Sequence, residues 1–378
     1  MRTLIAFGLI TLLAACTGSQ SQPQADVAEV IPADWPTPVG KVSLNFGSPV
    51  PAVSLDVAVV VFDPGIPEDE STHRRLNVFP DIRRAEARYQ SVVLRDVLTE
   101  SNRWGAVRVV PHASSSSSVS VTATIVHSDG EDLVLDVLAT DASGRTWLEK
   151  RYRDASTESD FPVNGDDDPF IDLYNAVAND LALAGRAMPA GTVNALPRVT
   201  ELRYAETLSP EAFSGYLAQD AQGQYSLQRL PAEGDPMLAR VQRIQNQEFL
   251  FIDTVDEQYV DLYNTMGPVY HLWRQYEREQ AVYKREYQVR ASSRESHGRR
   301  GTYAQMMQTY SAFRSVKIQQ QDLLELAGGF NNEVAPTVLA AGDRVVRLNG
   351  TLDTQYDEWR DILRQIFALE SGLPPAAP

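Results

Sequence analysis

The chain has 378 residues and a formal net charge of −16 at pH 7. This length is sufficient for a sizeable core and, at about 150 residues per domain, it predicts two domains. The acidic balance argues against a nucleic-acid partner, because phosphate binding needs a basic surface. The single cysteine excludes an internal disulfide, so we expect packing alone to stabilise the folded parts.

The N-terminal segment has the three parts of an export signal. Arg2 supplies the positive charge, Leu4–Leu13 the apolar run, and Ala14-Ala15 the small residues before a cleavage site. Because Cys16 follows directly, the segment resembles the lipobox of a bacterial lipoprotein, which implies cleavage before Cys16 and a lipid on its sulfur. The apolar run is shorter than the ~20 residues that span a bilayer. Thr17 resembles the corresponding residue of lipoproteins sorted to the outer membrane, so we expect an anchor there, facing the periplasm; a soluble secreted protein is the alternative.

Composition and periodicity divide the chain into segments. Ser, Gln, Ala and Pro dominate the residues after Cys16 and show hardly any apolar periodicity, which is typical of a flexible tether. A compact domain, a linker and a helical region follow. The predicted boundaries are 1–15 for the signal peptide, 16–51 for the lipidated cysteine and tether, 52–190 for an α+β domain, 191–234 for a linker with one short helix from Pro210 to Gln219, and 235–372 for a helical bundle.

Strand and helix patterns alternate between residues 52 and 190. Val57–Phe62 is an apolar, β-branched run that ends at Asp63-Pro64-Gly65, which predicts a buried strand closed by a turn. Ser128-Asp129-Gly130 lies between two alternating segments and predicts a hairpin. These patterns predict a small mixed sheet with two helices. The predicted strands are Val57–Phe62, Val107–Val110, Val119–Ile125, Leu133–Ala139 and Thr146–Tyr152, and the predicted helices are Ile82–Ser101 and one that starts at Asp168-Pro169.

The order of these elements resembles a known family. The strand Val57–Phe62, the amphipathic helix after it, the segment Arg103–Val110 and the segment Leu133–Gly144 with its Asp-Ala-Ser-Gly turn are together similar to the amino-terminal domain of TolB. The curli-secretion lipoprotein CsgG and lipoprotein activators of penicillin-binding proteins share that layout. The resemblance covers residues 52–186, and it implies a periplasmic protein-interaction module without catalytic residues.

Heptad patterns of apolar side chains dominate the C-terminal part. The first seam covers Val255–Tyr276 and contains Gly267-Pro268, where we expect a kink. The seam over Val334–Leu369 is the most regular and predicts one long helix, and a third amphipathic helix lies over Tyr303–Leu324. The sheet domain is therefore predicted to be followed by an elongated antiparallel, coiled-coil-like helical bundle, either closed on itself or open with an apolar stripe for a partner.

No catalytic or metal-binding motif occurs in the sequence: the GxSxG elbow, the P-loop, the dinucleotide fingerprint and HExxH are all absent. Asp166-Asp167-Asp168 is the densest carboxylate run; it is either a cation site or, as we favour, a helix cap beside Pro169. Ser114–Ser118 lies near His112, but proximity in sequence does not make a catalytic triad. We predict no enzyme, no metal and no cofactor. The histidines, which form no close ligand pair, are His73, His112, His127, His271 and His297.

One basic concentration stands out in this acidic chain. It lies where two of the predicted helices join, so it is a candidate contact for anionic headgroups, glycan phosphate or an acidic partner. The alternative is a solvated helix end, where cations are favoured by the helix dipole. The residues are Lys284, Arg285, Arg290, Arg294, Arg299 and Arg300.

The sequence therefore predicts a non-enzymatic outer-membrane lipoprotein. We expect it to act as an accessory, assembly or scaffold factor of an envelope complex, with the membrane reached through Cys16 and with periplasmic or outer-membrane proteins as partners. Two alternatives stay open: a structural lipoprotein that forms homo-oligomers, and an envelope enzyme that acts on glycan or lipid.

Overall fold

The computed structural model describes residues 35–47, 54–73, 76, 78–163, 168–293, 314, 317–318, 320–328, 336–341 and 344–373. For residues 257–262, 284–293, 341 and 344 it describes the backbone only. The described residues belong to one compact unit, Asp34–Pro378.

A mixed five-stranded sheet forms the centre of this unit. Its strands are β1 (Val57–Val60), β2 (Val107–Val110), β3 (Val119–Ser128), β4 (Asp132–Asp141) and β5 (Thr146–Ala155). The strand order is β2-β1-β3-β4-β5, with β1 parallel to both of its neighbours and β3, β4 and β5 antiparallel. The predicted strands are confirmed, and the continuous apolar run of β1 is explained by its central place, where both faces are covered.

Helices, one 3₁₀ turn and two pairs of short strands complete the described part of the fold. Helices α2 (Pro80–Glu100) and α3 (Ile171–Ala187) pack on the sheet and on each other, which confirms the two predicted helices. The helices are α1 (Glu70–His73), α2 (Pro80–Glu100), α3 (Ile171–Ala187), α4 (Ala190–Leu208), α5 (Pro210–Phe213), α6 (Pro236–Ser293), α7 (residues 320–328) and α8 (Leu352–Ser371), with a 3₁₀ turn at Glu158–Asp160; the short strands are β6 (Leu217–Gln219), β7 (Tyr225–Leu227), β8 (Thr337–Ala341) and β9 (Arg344–Leu348).

The turn between β4 and β5 is built by the carboxylate of Asp141. Its Oδ1 accepts hydrogen bonds from the backbone amides of Ser143 (2.8 Å) and Arg145 (3.1 Å). Its Oδ2 accepts from the indole Nε1 of Trp147 at 2.8 Å, and the Trp147 ring lies against Gly185 of α3. One buried carboxylate therefore fixes both the turn and the packing of α3 on β5.

The tether ends earlier than predicted. Residues 35–47, which the sequence assigns to the flexible segment 16–51, dock on the sheet domain. The amide of Val39 donates to the carbonyl of Arg153 at 2.8 Å, and that of Val42 donates to Oδ1 of Asp172 at 2.7 Å. The guanidinium of Arg103 donates to the carbonyl of Asn45 at 2.9 Å. The first of these bonds pairs with the open edge of β5, and the other two attach the segment to α3 and to Arg103.

The segment predicted as a linker from residue 191 begins with helix α4. Tyr204 of α4 donates its hydroxyl to the buried carboxylate of Glu248 in α6 at 2.7 Å, and Tyr356 of α8 donates to the same carboxylate at 2.6 Å. Glu248 thus connects three helices that are distant in sequence. The predicted short helix at Pro210 is confirmed at its start and ends at Phe213.

The predicted elongated helical bundle is wrong, and the fold is mixed α/β instead of a sheet domain followed by a bundle. Helix α6 packs along β2, α4 and α8. Its seam residues Val255, Met266 and Trp273 are buried in the same apolar core as the sheet. Ion pairs join it to the sheet domain, with Arg95 at 2.9 Å from Asp256. A heptad seam indicates which side of a helix is buried but not which element covers it.

The prediction of one long final helix is also wrong. The seam over Val334–Leu369 is divided between the hairpin β8–β9 and helix α8. Gly350 takes a φ of +102°, and the hydroxyl of Thr351 accepts a hydrogen bond from the amide of Thr354 at 3.3 Å, so that the helix starts at Leu352. Among the helices that the structure describes, none combines the length and apolar character needed to cross a bilayer.

Candidate functional site

A cleft of about 400 Å³ opens where α2 and the middle of α6 lie side by side. This volume falls within the range of roughly 300–1,000 Å³ that is usual for small-ligand sites. Three segments form the walls: α2, the chain that follows the 3₁₀ turn, and α6. The lining residues are Tyr89, Pro162, Val163, Tyr263, Asn264, Gly267, Pro268, His271, Leu272 and Gln275.

Gly267-Pro268 explains why the cleft forms at this point of α6. Pro268 lies inside the helix and has no amide hydrogen, so the carbonyl of Asn264 lacks its usual helical donor. Gly267 has no side chain, and no heavy atom of the described residues lies within 4 Å of the position that a Cβ would take. At this point of α6 the sequence therefore leaves a position that no side chain of the described residues fills, and a backbone carbonyl without its usual helical donor.

Tyr89 and His271 form the polar centre of the cleft. The hydroxyl of Tyr89 lies 2.8 Å from Nε2 of His271, and its ring stacks on Tyr263 with 4.5 Å between ring centroids. Burial lowers the pKa of His271, an effect that Asp168 opposes and Arg274 strengthens. Burial and then the charge of Asp168 raise the pKa of Tyr89 well above its ordinary value. Both side chains are therefore neutral near pH 7.

A buried network of charges lies behind the cleft. Arg274 of α6 is fully buried, with its Nη1 3.5 Å from Oδ2 of Asp168 and its Nη2 3.2 Å from the hydroxyl of Ser128. Glu86 of α2 accepts hydrogen bonds from Ser128 (2.8 Å) and from the hydroxyl of Tyr270 (2.7 Å). Carboxylates and guanidinium thus compensate one another inside the protein, beneath the cleft wall.

Among the residues that the structure describes, the lining of the cleft carries no formal charge. None of its ten lining residues is Asp, Glu, Lys or Arg, although 22% of the chain is charged. The described lining offers two phenols, an imidazole and two carboxamides, together with prolines and aliphatic side chains. Such a surface can donate and accept hydrogen bonds and can cover apolar faces of a ligand, but it supplies no counter-ion for a charged one.

The predicted basic contact and the lipid attachment site are not tested by this structure. Cys16, Arg294, Arg299 and Arg300 lie outside the described residues. Lys284, Arg285 and Arg290 lie in α6, where only the backbone is described. The hypothesis of an anionic partner at these residues therefore stays a prediction.

The carboxylate run has one described member, because residues 166 and 167 lie outside the described residues. Asp168 is buried, and its Oδ1 accepts a hydrogen bond from the amide of Phe170 at 2.9 Å. The N-cap of α3 is Phe170, so Asp168 shapes the turn before the helix and is not the cap residue itself. Its Oδ2 lies 4.0 Å from Nε2 of His271, which places the carboxylate behind the cleft.

Four of the five histidines lie in the described part of the chain, each in a different place. Nε2 of His73 lies 2.7 Å from the carbonyl of Pro67, and Nε2 of His127 lies 2.8 Å from the carboxylate of Asp129. His112 lies near the surface, 3.9 Å from Asp357, and His297 is outside the described residues. Within the described part of the chain, no group of three His, Cys, Asp or Glu residues is placed to hold a metal ion.

The serine loop serves packing. Ser116, Ser117 and Ser118 are buried, and the carbonyl of Ser116 accepts a hydrogen bond from the carboxamide of Gln245 at 2.8 Å. The hydroxyl of Thr200 donates to that of Ser118 at 3.3 Å. These bonds connect the loop before β3 to α4 and α6.

Sequence reasoning missed the cleft. Tyr89 and His271 are 182 residues apart, so no local pattern connects them. The one local signal was Gly267-Pro268 inside a strongly helical region, which predicted a kink but not an opening. No family model, no curated protein and no solved structure matches the chain. The resemblance to the amino-terminal domain of TolB therefore stays a prediction.

Proposed function

We propose that this protein is a lipid-anchored, non-enzymatic accessory factor of the bacterial outer membrane, and that it works by holding an envelope component in the cleft between α2 and α6. The observation that carries this proposal is a cleft whose described lining residues are uncharged and which lies against a charged, internally compensated interior. This observation favours binding of a ligand over catalysis of a reaction on it.

The protonation states of the cleft residues favour binding over proton transfer. A general acid or base works best with a pKa near the operating pH. The pKa of His271 is lowered and that of Tyr89 is raised, so each stays in one protonation state around neutrality. The hydrogen bond between them then orients two neutral groups toward a ligand.

The proposed anchor fits a protein that reaches its ligand from a membrane. If lipid is attached at Cys16, residues 17–34 connect it to the docked segment that begins at Trp35, and a fully extended chain of that length spans at most about 60 Å. The exchange Cys16→Ala should move the protein from the membrane fraction to the soluble fraction. An unchanged membrane fraction would remove the anchor from the proposal.

A second candidate function is self-association or scaffolding through the hairpin β8–β9. Its outer face exposes Val338 at 56% and Val345 at 76%, and neither strand of the hairpin pairs with a further strand among the described residues. This observation favours the oligomeric alternative. Sedimentation velocity over a range of concentrations tests it, because a strict monomer would exclude it.

Photo-cross-linking in growing cells tests the cleft directly. A benzophenone amino acid in place of Gln275 should give an ultraviolet-dependent adduct with an envelope component, and the same group at exposed Gln219 on β6 should not. Adding Gly267→Leu should remove the adduct because the leucine fills the cleft, whereas Gly191→Leu on α4 should leave it. An adduct that persists with Gly267→Leu, or no adduct from Gln275, would contradict the proposal.

A further inference from the structure

We infer that the cleft between α2 and α6 binds an uncharged, N-acetylated sugar ring of a glycan strand. This inference rests on the proposed binding function and specifies the ligand class. It follows from the combination of neutral hydrogen-bonding groups, amides and apolar rings that the cleft walls provide.

The polar groups of the cleft match the hydroxyl and acetamido groups of such a sugar. Asn264 and Gln275 each carry a carboxamide, which offers donors and an acceptor side by side. An acetamido group offers one N–H and one C=O, so it pairs with a carboxamide in both directions. The Tyr89–His271 pair adds groups that can donate to or accept from a hydroxyl. The Asn264 carbonyl that Pro268 leaves without a helical donor is a further acceptor.

The apolar groups of the cleft match the carbon faces of the sugar. Pro162, Pro268 and Leu272 present aliphatic surface, and the half-buried ring of Tyr263 presents aromatic surface. A pyranose ring has an apolar face of C–H groups, and the acetyl methyl group adds a second apolar contact. Burying these groups against proline, leucine and tyrosine is favourable at about 25 cal/mol per Å² of apolar surface.

Other ligand classes fit the cleft less well. An acyl chain would cover the polar side chains of Asn264, His271 and Gln275 without offering them any hydrogen bond, and covering polar groups in this way is costly. A charged ligand would find no opposite charge among the lining residues that the structure describes. An extended peptide is recognised mainly through backbone ladders at a sheet edge. Here the two principal walls are helices, whose backbone groups bond internally except near Pro268.

Gly267 provides a substitution that tests this inference without removing any binding group. A side chain there meets no heavy atom of the described residues outside the local helix, and replacing glycine within a helix with leucine favours the helical state. Gly191 of α4 is the matched control, because no heavy atom of the described residues lies within 4 Å of its Cβ position either.

The experiment measures binding of short glycans to the full chain, purified in a detergent that contains no sugar. The probes are the β-1,4-linked tetramer of N-acetylglucosamine and, as its match without acetamido groups, the β-1,4-linked tetramer of glucose. We expect saturable calorimetric binding of the acetylated tetramer and at least tenfold weaker binding of the glucose tetramer. Gly267→Leu should weaken the former about tenfold or more, and Gly191→Leu should leave it unchanged.

Three results would overturn the inference: no binding of the acetylated tetramer, equal binding of both tetramers, or binding that Gly267→Leu does not weaken. An uncharged acetylated tetra-alanine peptide distinguishes this failure from failure of the proposed function. If the peptide binds, the glycan does not, and Gly267→Leu blocks the peptide, then the cleft binds peptides. The proposed function would survive that result, and the glycan inference would not.

Discussion

At the scale of single residues, the buried carboxylate of Glu86 is the best-connected charge behind the cleft. It accepts from Ser128 and Tyr270, and it pairs with Arg83 at 3.0 Å. Arg274 lies 3.9 Å away from it. Groups on α2, β3 and α6 thus meet at one carboxylate, and its negative charge offsets two buried guanidinium groups.

Glu86→Gln should therefore destabilise the protein by about 3–5 kcal/mol, because two buried arginines lose a counter-charge while the shape is kept. Glu100→Gln, at the exposed end of the same helix, should change the free energy of unfolding by no more than about 0.5 kcal/mol. Urea denaturation followed by circular dichroism measures both. Equal effects of the two substitutions would show that the buried network contributes no more to stability than an exposed glutamate does.

The buried carboxyl group of Asp154 makes the stability of the protein depend on pH. Burial raises its pKa from 3.8 to about 6; its bond from the amide of Ala155 opposes this, and the charges of Asp172 and Asp160 add to it. Between these two pKa values the folded protein binds more protons than the unfolded chain, so stability falls as the pH rises from about 4 to about 6. Above about pH 6, deprotonation of Asp154 lowers the stability no further.

Asp154→Asn should consequently stabilise the protein at pH 7.5 by about 1–2 kcal/mol, because the buried charge is removed. At pH 4 the two proteins should be almost equally stable, since Asp154 is then mostly protonated. The midpoint of urea denaturation at the two pH values is the measurement, with exposed Asp322→Asn as the control. A gain that is the same at both pH values would contradict the assignment.

At the scale of elements, Gly130 shows how closely α6 is packed on the sheet. The turn Ser128-Asp129-Gly130 was predicted from its hairpin signal. The structure adds that a Cβ at Gly130 would come within 3.0 Å of the Arg274 carbonyl and the Arg278 amide. The glycine therefore lets helix α6 lie directly on the turn between β3 and β4.

Gly130→Ala should destabilise the protein by about 1–3 kcal/mol, because the methyl group collides with the backbone of α6 and not with a flexible side chain. Gly191→Ala, in open space on α4, should be neutral or stabilising by up to about 1 kcal/mol. Thermal unfolding of the two variants makes the comparison. A neutral Gly130→Ala would mean that α6 does not lie where the structure has it.

The elements differ in how far the sequence could predict them. The strands and helices α2 and α3 were predictable, because alternation and 3.6-residue periodicity are local signals. The seam over Val334–Leu369 wrongly predicted one long helix. Its members Val338 and Val345 are exposed on one face of a hairpin, and their spacing suits a helix and a strand pair alike. The cleft was not predictable, because Tyr89 and His271 meet only through the packing of α2 on α6.

At the scale of the whole molecule, the described residues share one apolar core. Residues of β1, α2, α4, α6 and α8 all contribute to it, with Val57 and Trp359 among its most buried members. The predicted division into a sheet domain and an independent bundle has no counterpart in this core. A long helix that closes the core of a sheet domain links the stability of the two halves.

We therefore expect one cooperative unfolding transition. Tryptophan fluorescence reports the five tryptophans of the chain, among them Trp147 in β5 and Trp359 in α8, and it should follow the same curve as far-ultraviolet circular dichroism. Two separate transitions would instead support independent domains.

Protection of a cysteine at the cleft tests the central claim, that the space beside Gly267-Pro268 holds an envelope component, most directly. Gly267→Cys introduces a thiol into a chain whose only other cysteine is Cys16. In the purified protein this thiol should react rapidly with a polar maleimide, and in intact envelopes its reaction should be at least tenfold slower, while Gly191→Cys reacts equally in both. A thiol at position 267 that reacts equally fast in both preparations would contradict an occupied cleft, and one that is unreactive in both would contradict the cleft itself.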